Sequence, residues 1–209
     1  MATFVGPNDF RGMVKDGLVF AIDGTNSRSY QDGDTTMKNL LDTQVGILQG
    51  IYSGETIDGV TGIKINNSPT RLSGIQLPTI TAITTVSLWY YVNSTGSTRY
   101  LLDMRTGGAS GYIYSGGPGT NWSSGSCYRN GVYVGTPTWI NIESYINKWV
   151  NITVIANIPA TDDMNLFQRY SDTEGYDVIF GLGCIYNRAL TADEVLNNFN
   201  AQNNKYNIT

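Results

Sequence analysis

The chain has 209 residues, 41% of them hydrophobic and 11% aromatic, with 13 Lys plus Arg against 17 Asp plus Glu, a net charge of -4 and no histidine. This apolar content excludes a disordered chain and suffices for one substantial core. The light acidic balance offers no basic surface for phosphates, no apolar run is long enough to span a bilayer, and without His there is neither Ser-His or Cys-His nucleophile activation nor a His-bearing metal site. Neither nucleic acid nor membrane is therefore an expected partner.

The opening "MATFVGPNDFRGMVKDG" has no apolar signal-type run and no small-residue cleavage site, so no export signal is expected. Residues 1–13 are expected as an N-terminal arm that docks on a neighbouring subunit or particle, and residues 14–209 as a single domain. "DGLVFAIDG" then places Leu18, Phe20 and Ile22 on one side of a first strand. In "ITTVSLWYYVN", Val86, Leu88, Tyr90 and Val92 alternate with Thr85, Ser87, Trp89 and Tyr91, the pattern of a central strand covered on both faces. "RTGGASGYIYSGGPGTNWSSGS" is loop-rich. The Asn130-Gly131 pair in "CYRNGVYVG" marks a two-residue hairpin turn, because both positions accept positive φ. "KWVNITVIANI" and "YDVIFGLGCIYN" complete the strand series, the latter with Val178, Phe180, Leu182 and Cys184 expected on one face.

One helix closes the chain, at about 191–202. Thr191 and Glu194 have capping-box spacing, and Leu190 with Val195 form a hydrophobic staple. Ala192, Val195, Leu196 and Phe199 fall on one face and leave Asn197, Asn198 and Asn200 outside, so the stripe is expected to dock on an end or edge of a sandwich. Cys127 and Cys184 are read as two unpaired, partly buried thiols. The fold expected from these elements is all-β: an antiparallel β-sandwich with a short C-terminal capped helix.

The closing "IYNRALTADEVLNNFN" resembles the end of LamG-like, concanavalin A-like jelly-roll domains, where a last strand in Tyr-Asn-Arg-Ala-Leu leads into a short capped helix. The opening "DGLVFAIDGTNSRSYQDGDTT" is similar to such domains in bacteriophage structural proteins, with Asp23, Asn26, Ser29, Tyr30 and Gly33 at matching places. "TTVSLWYYVN" resembles the family's aromatic central strand, and "NKWVNITVIAN" its Trp-led strand, with Val150 where a His is common. The resemblance implies a concanavalin A-like jelly roll. It further implies a non-enzymatic virion structural protein of a bacteriophage: a capsid decoration or spike protein, or a fibre or tail component. Its partners would be capsid or other virion proteins and further copies of itself, and its location the virion, assembled in the host cytoplasm. The alternative is a glycan-binding lectin module that mediates attachment to a cell surface.

Catalysis by glycoside hydrolysis requires two facing carboxylates, but Glu55, Glu143, Glu174 and Glu194 are scattered, so no catalytic residue is assigned and the chain is not expected to be an enzyme. For a sugar site, which combines an aromatic platform with amide and carboxylate groups, the candidates are Tyr112, Tyr114, Trp122 and Tyr128. No cofactor is required by this inventory. Calcium is the one ion the Asx residues could hold, through Asp23, Asn26, Asp32 and Asp34, although such residues also shape turns through local hydrogen bonds.

Overall fold

The computed structural model describes residues 10–66, 73–92, 99–104, 111–139, 147–170 and 177–208. Within these, thirteen strands join in one branched hydrogen-bonded network folded into an antiparallel β-sandwich, and a single helix closes the chain.

Two 19-residue strands, β6 (Gly74–Val92) and β12 (Lys148–Leu166), run side by side through both layers. Their pairing shifts register between Ile155 and Met164, opposite Ala82, whose φ is 56°. A residue forced into that region marks a sharp change of strand direction. The ribbon there leaves one layer for the other. In the first layer, Thr85–Val92 of β6 pair with Lys148–Ile155 of β12 and with β13 (Val178–Tyr186); β1 (Leu18–Asp23) and β5 (Val60–Asn66) flank β13, and β4 (Ile51–Ile57) adds to β5. On the other flank, β10 (Ser126–Arg129) joins β12 and forms a hairpin with β11 (Val132–Gly135). Its turn is Asn130-Gly131, with φ of 49° and 78°, the mirror-image conformation that matches strand twist. In the second layer, the early half of β6 pairs with β3 (Val45–Gln49) and the late half of β12 with β7 (Tyr100–Asp103); β2 (Thr36–Lys38) lies beyond β3, and β8 (Tyr112–Tyr114) and β9 (Gly117–Pro118) beyond β7.

The main core lies between the layers. Phe20, Ile22, Val86, Leu88, Tyr90 and Phe180 of the first layer meet Met37, Leu48, Ile75, Leu77, Leu101 and Ile113 of the second. Phe167 brings the layers together at one end, 5.6 Å from the Tyr90 ring and 5.8 Å from that of Phe180. A second core lies on the outer face of the first layer, where α1 (Ala192–Gln202) and the 3-10 turn Asn203–Tyr206 cover Trp89, Trp149 and Tyr186. Trp89 stacks on Tyr206 at 4.3 Å and on Phe199 at 5.6 Å. This explains why a β-protein ends in a helix: the central strand carries large aromatic side chains on both faces, and without a cover Trp89 and Tyr91 would face water.

The capping box forms in full, with Glu194 N–H donating to Thr191 Oγ1 at 3.2 Å and Thr191 N–H to Glu194 Oε2 at 2.8 Å. Arg188 grips the same carboxylate at 2.7 and 2.9 Å. That guanidinium and the Thr191 N–H lower the Glu194 carboxyl to about 2. Two faces differ from expectation. The helix buries Val195, Asn198 and Gln202 and leaves Leu196 43% exposed, because residues 10–14 lie across it and supply polar partners. Asn198 Oδ1 accepts from Val14 N–H at 2.7 Å, Asn198 Nδ2 donates to Tyr186 Oη at 3.0 Å, and Asn197 Nδ2 donates to Gly12 O at 2.6 Å. In β13 a register shift between Phe180 and Gly183 turns the strand over. Val178 and Phe180 therefore enter the main core, whereas Leu182 and Cys184 enter the helix-side core. Both cysteines are free and buried, and burial pushes the Cys127 thiol up to about 12. Of the expected arm, residues 1–9 lie outside the described residues; Phe10 and Met13 pack in the helix-side core.

Candidate functional site

The outer face of the second layer carries a different chemistry. Alternation puts Met37, Leu48, Ile75, Leu77, Met164, Leu166 and Ile113 into the core, so their neighbours face outward. Thr36, Ile47, Gln76, Asn165, Asp103 and Tyr112 are successive cross-strand partners from β2 to β8, one row across the face. Gln49 Nε2 donates to Gln76 Oε1 at 2.7 Å, and Gln168 Nε2 donates to Gln49 Oε1 at 2.6 Å and Asn165 Oδ1 at 3.0 Å. Asp103 is fully buried and its Oδ2 accepts from Tyr170 N–H at 3.1 Å. Gln168 Oε1 is buried with no hydrogen-bond partner among the described residues. At the edge of the row, burial and the neighbouring Asp162 raise the Asp163 carboxyl.

Tyrosines flank the amides. Tyr114 stacks on Tyr100 at 5.2 Å and meets Tyr112 edge-on at 5.5 Å. The Arg169 guanidinium lies 6.0 Å from the Tyr100 ring centre. Tyr112 and Tyr114 are half-buried and Tyr170 is 40% exposed. Half-exposed rings beside amide and carboxylate groups can receive a ligand with both C–H faces and hydroxyls, the rings taking the apolar face and the amides the polar edge.

Of the four aromatics expected to form a platform, the structure brings together Tyr112 and Tyr114. Trp122 has no exposed surface and lies in the main core, so it presents no ring to a ligand. Tyr128 is 9% exposed, belongs to the helix-side core and packs against Tyr133 at 5.4 Å. Gln49, Gln76, Asn165, Gln168, Tyr100 and Tyr170 were not expected there. The alternation of Asp163 and Asn165 with Met164 and Leu166 is the sequence signal that could have placed a strand, and its polar face, at this site.

The candidate cation ligands Asp23, Asn26, Asp32 and Asp34 each accept hydrogen bonds from protein groups. Asp23 is 1% exposed; its Oδ2 accepts from Lys205 Nζ at 2.6 Å and its Oδ1 from Thr25 N–H at 2.9 Å and Thr25 Oγ1 at 2.7 Å. Asn26 Oδ1 accepts from Arg28 N–H at 3.0 Å, Asp34 Oδ2 from Gln31 N–H at 2.9 Å, and Asp32 Oδ1 from Gly54 N–H at 3.4 Å. These are contacts that shape the loop after β1. No three His, Cys, Asp or Glu side chains gather in metal-holding geometry among the described residues.

No family model matches the sequence, and no curated protein matches it. Solved structures share its fold. The Trypanosoma rangeli sialidase in complex with sialic acid superposes with a TM-score of 0.59 at 12% identity over 90% of this chain and 33% of its own. Domain 4 of a GH43 extracellular arabinanase from Geobacillus stearothermophilus, in complex with arabinotriose, gives 0.50 at 15% identity over 87% of this chain and 97% of its own. The receptor-binding domain of botulinum neurotoxin type G gives 0.54 at 14% identity over 90% and 52%. The chain shares a β-sandwich fold with these proteins. It spans about a third of the length of the sialidases. These neighbours correct the expectation that the chain is not an enzyme: the sialidases it superposes on are enzymes, and about a third of their length carries this fold. At this identity the likeness speaks for the fold.

Proposed function

We propose that the chain is a glycan-binding β-sandwich module that receives a sugar on the outer face of its second layer. The observation that carries this reading is the row of amides beside the Tyr100–Tyr114–Tyr112 cluster, on the layer that the helix leaves open. Tyr114 and Tyr170 offer ring surface; Gln76 and Asp163 offer hydrogen-bonding groups that are partly exposed. An arabinanase domain solved with arabinotriose supports the reading by sharing this fold over nearly its whole length. A glycan array probed with the purified chain, with and without calcium, tests it. Saturable binding lost by about tenfold or more in Tyr114→Ala is the expected result; silence under both conditions overturns the reading, and dependence on added calcium would return the loop carboxylates to the site.

The resemblance at residues 185–200 adds a setting, that of a virion protein using such a module for attachment or capsid decoration. Its support is the sequence resemblance, and none of the neighbours named above is a virion protein. Removal of residues 1–9 is then expected to abolish incorporation into particles while leaving the melting temperature unchanged, and unaltered incorporation refutes an arm-mediated role.

A further inference from the structure

A second cleft lies on the other side of the molecule, between the loop after β1, the N-terminal segment and the end of α1. It encloses about 510 Å³ and is lined by Arg11, Thr25, Asn26, Ser27, Gln202 and Lys205, with Ala201 at its wall. The lining contains two cations and no carboxylate, in a chain whose net charge is -4. The acid nearest in chemistry, Asp23, lies buried behind Lys205, its oxygens held by Lys205 Nζ and Thr25. Lys205 is thereby oriented; an ammonium has three donors, and its side chain remains 34% exposed.

The Asn26 amide is fixed as well. Its Oδ1 accepts from Arg28 N–H at 3.0 Å, and its Nδ2 is buried with no hydrogen-bond partner among the described residues. A buried donor without an acceptor costs roughly 1–3 kcal/mol, so a group that supplies the acceptor is favoured there. Arg11 is exposed, and its guanidinium has no ion-pair or hydrogen-bond partner among the described residues. An orphaned amide donor, an unpaired guanidinium and a half-exposed ammonium around one cavity are complementary to an acceptor-only, negatively charged group.

We propose that this cleft binds an oxyanion, the carboxylate, sulfate or phosphate group of a small hydrophilic molecule. Arg11 is its principal donor, Lys205 adds charge from the back of the cleft, and a turn of the Asn26 side chain brings the unpartnered Nδ2 to the anion. The site is separate from the tyrosine–amide face and does not depend on it. An amide-proton NMR titration of the full chain with sodium glucuronate, sodium sulfate and sodium phosphate, each at ionic strength held by sodium chloride and with glucose as the neutral control, distinguishes the three sources. The expected result is saturable shifts at Asn26, Ser27 and Lys205 with at least one anion and none with glucose. Arg11→Gln should weaken that binding by about tenfold or more. Asn26→Asp, which keeps the oxygen for Arg28 N–H and replaces the donor by a like charge, should weaken it at least as much. Absence of saturable shifts with all three anions overturns the proposal, as does a folded Arg11→Gln variant that binds within about twofold of the parent.

Discussion

The polar clamp between the helix and residues 12–14 makes a sharp prediction, because Asn197 and Asn198 are adjacent in sequence and opposite in consequence. Asn198 is 4% exposed and makes two hydrogen bonds, from Val14 N–H and to Tyr186 Oη, at 2.7 and 3.0 Å. Asn198→Leu removes both, at about 1 kcal/mol each, and strands the Val14 N–H at a further cost of roughly 1–3 kcal/mol. The added apolar burial returns about 1–2 kcal/mol. The net loss is about 2 kcal/mol, or about 4–8 °C in melting temperature for a chain of this size. Asn197 is exposed and makes one bond, to Gly12 O at 2.6 Å, so Asn197→Ala should cost under about 0.5 kcal/mol. Thermal unfolding followed by circular dichroism measures both. Hydrogen exchange at the Val14 amide is the second reading: it should accelerate in Asn198→Leu and stay protected in Asn197→Ala. Equal melting temperatures for the two variants would refute a buried clamp and with it the docking of residues 10–14 on α1.

Three further outcomes follow from the geometry. Gly131→Ala places a Cβ at a φ of 78°, 3.0 Å from Leu196 Cδ1 and 3.2 Å from Phe199 Cβ, so the hairpin–helix contact should lose about 1–2 kcal/mol, read from the urea midpoint. Glu194 has its carboxyl lowered from 4.5 to about 2, so its contribution is complete above the unfolded-state pKa and is lost as pH falls from about 4.5 towards 2. With 27% of the side chain exposed, screening limits that contribution to about 1 kcal/mol, and Glu194→Gln should flatten the acid limb of the stability profile by this amount. Cys127 and Cys184 should resist a thiol reagent at pH 8 in the folded chain and react after unfolding, since burial raises both thiols; prompt modification would contradict their placement in the two cores.

Much of the sandwich was legible because its signals are local. Val86 to Val92 alternate without a break, Asn130-Gly131 admits one turn, and Thr191 with Glu194 caps a helix at a definite residue. The face assigned to Leu182 and Cys184 failed because a bulge after Phe180 inverts the strand, and one inserted residue changes every later side without changing composition. Asn198 was assigned to solvent on its polarity; only the tertiary position of Val14 and Tyr186 makes a buried amide favourable there. The tyrosine–amide face was half legible. Tyr112 and Tyr114 announced themselves as aromatics in a glycine-rich stretch, whereas Gln49, Gln76 and Gln168 are far apart in sequence, and it is the register of β3, β6 and β12 that joins them.

The two outer faces of the sandwich follow from one feature, the passage of β6 and β12 through both layers. In the first layer the ribbon is buried on both sides, with Trp89, Tyr91 and Trp149 on the outside beside the hydrogen-bonded Ser87, Asn151 and Thr153, and it demands the helix. Past Ala82 and Ala160 the same two strands turn the partly exposed Gln76 and Asp163 outward, beside Asn165, which is 3% exposed and held by Gln168. A ligand competing for the first face would have to displace α1, a capped helix anchored by Tyr206 on Trp89 and by Arg188 on Glu194. A ligand on the second face would meet the exposed Tyr170 and the partly exposed Tyr114, Gln76 and Asp163 without displacing the helix. The chemistry of the ribbon's two halves therefore sets both where the core closes and where recognition is least costly.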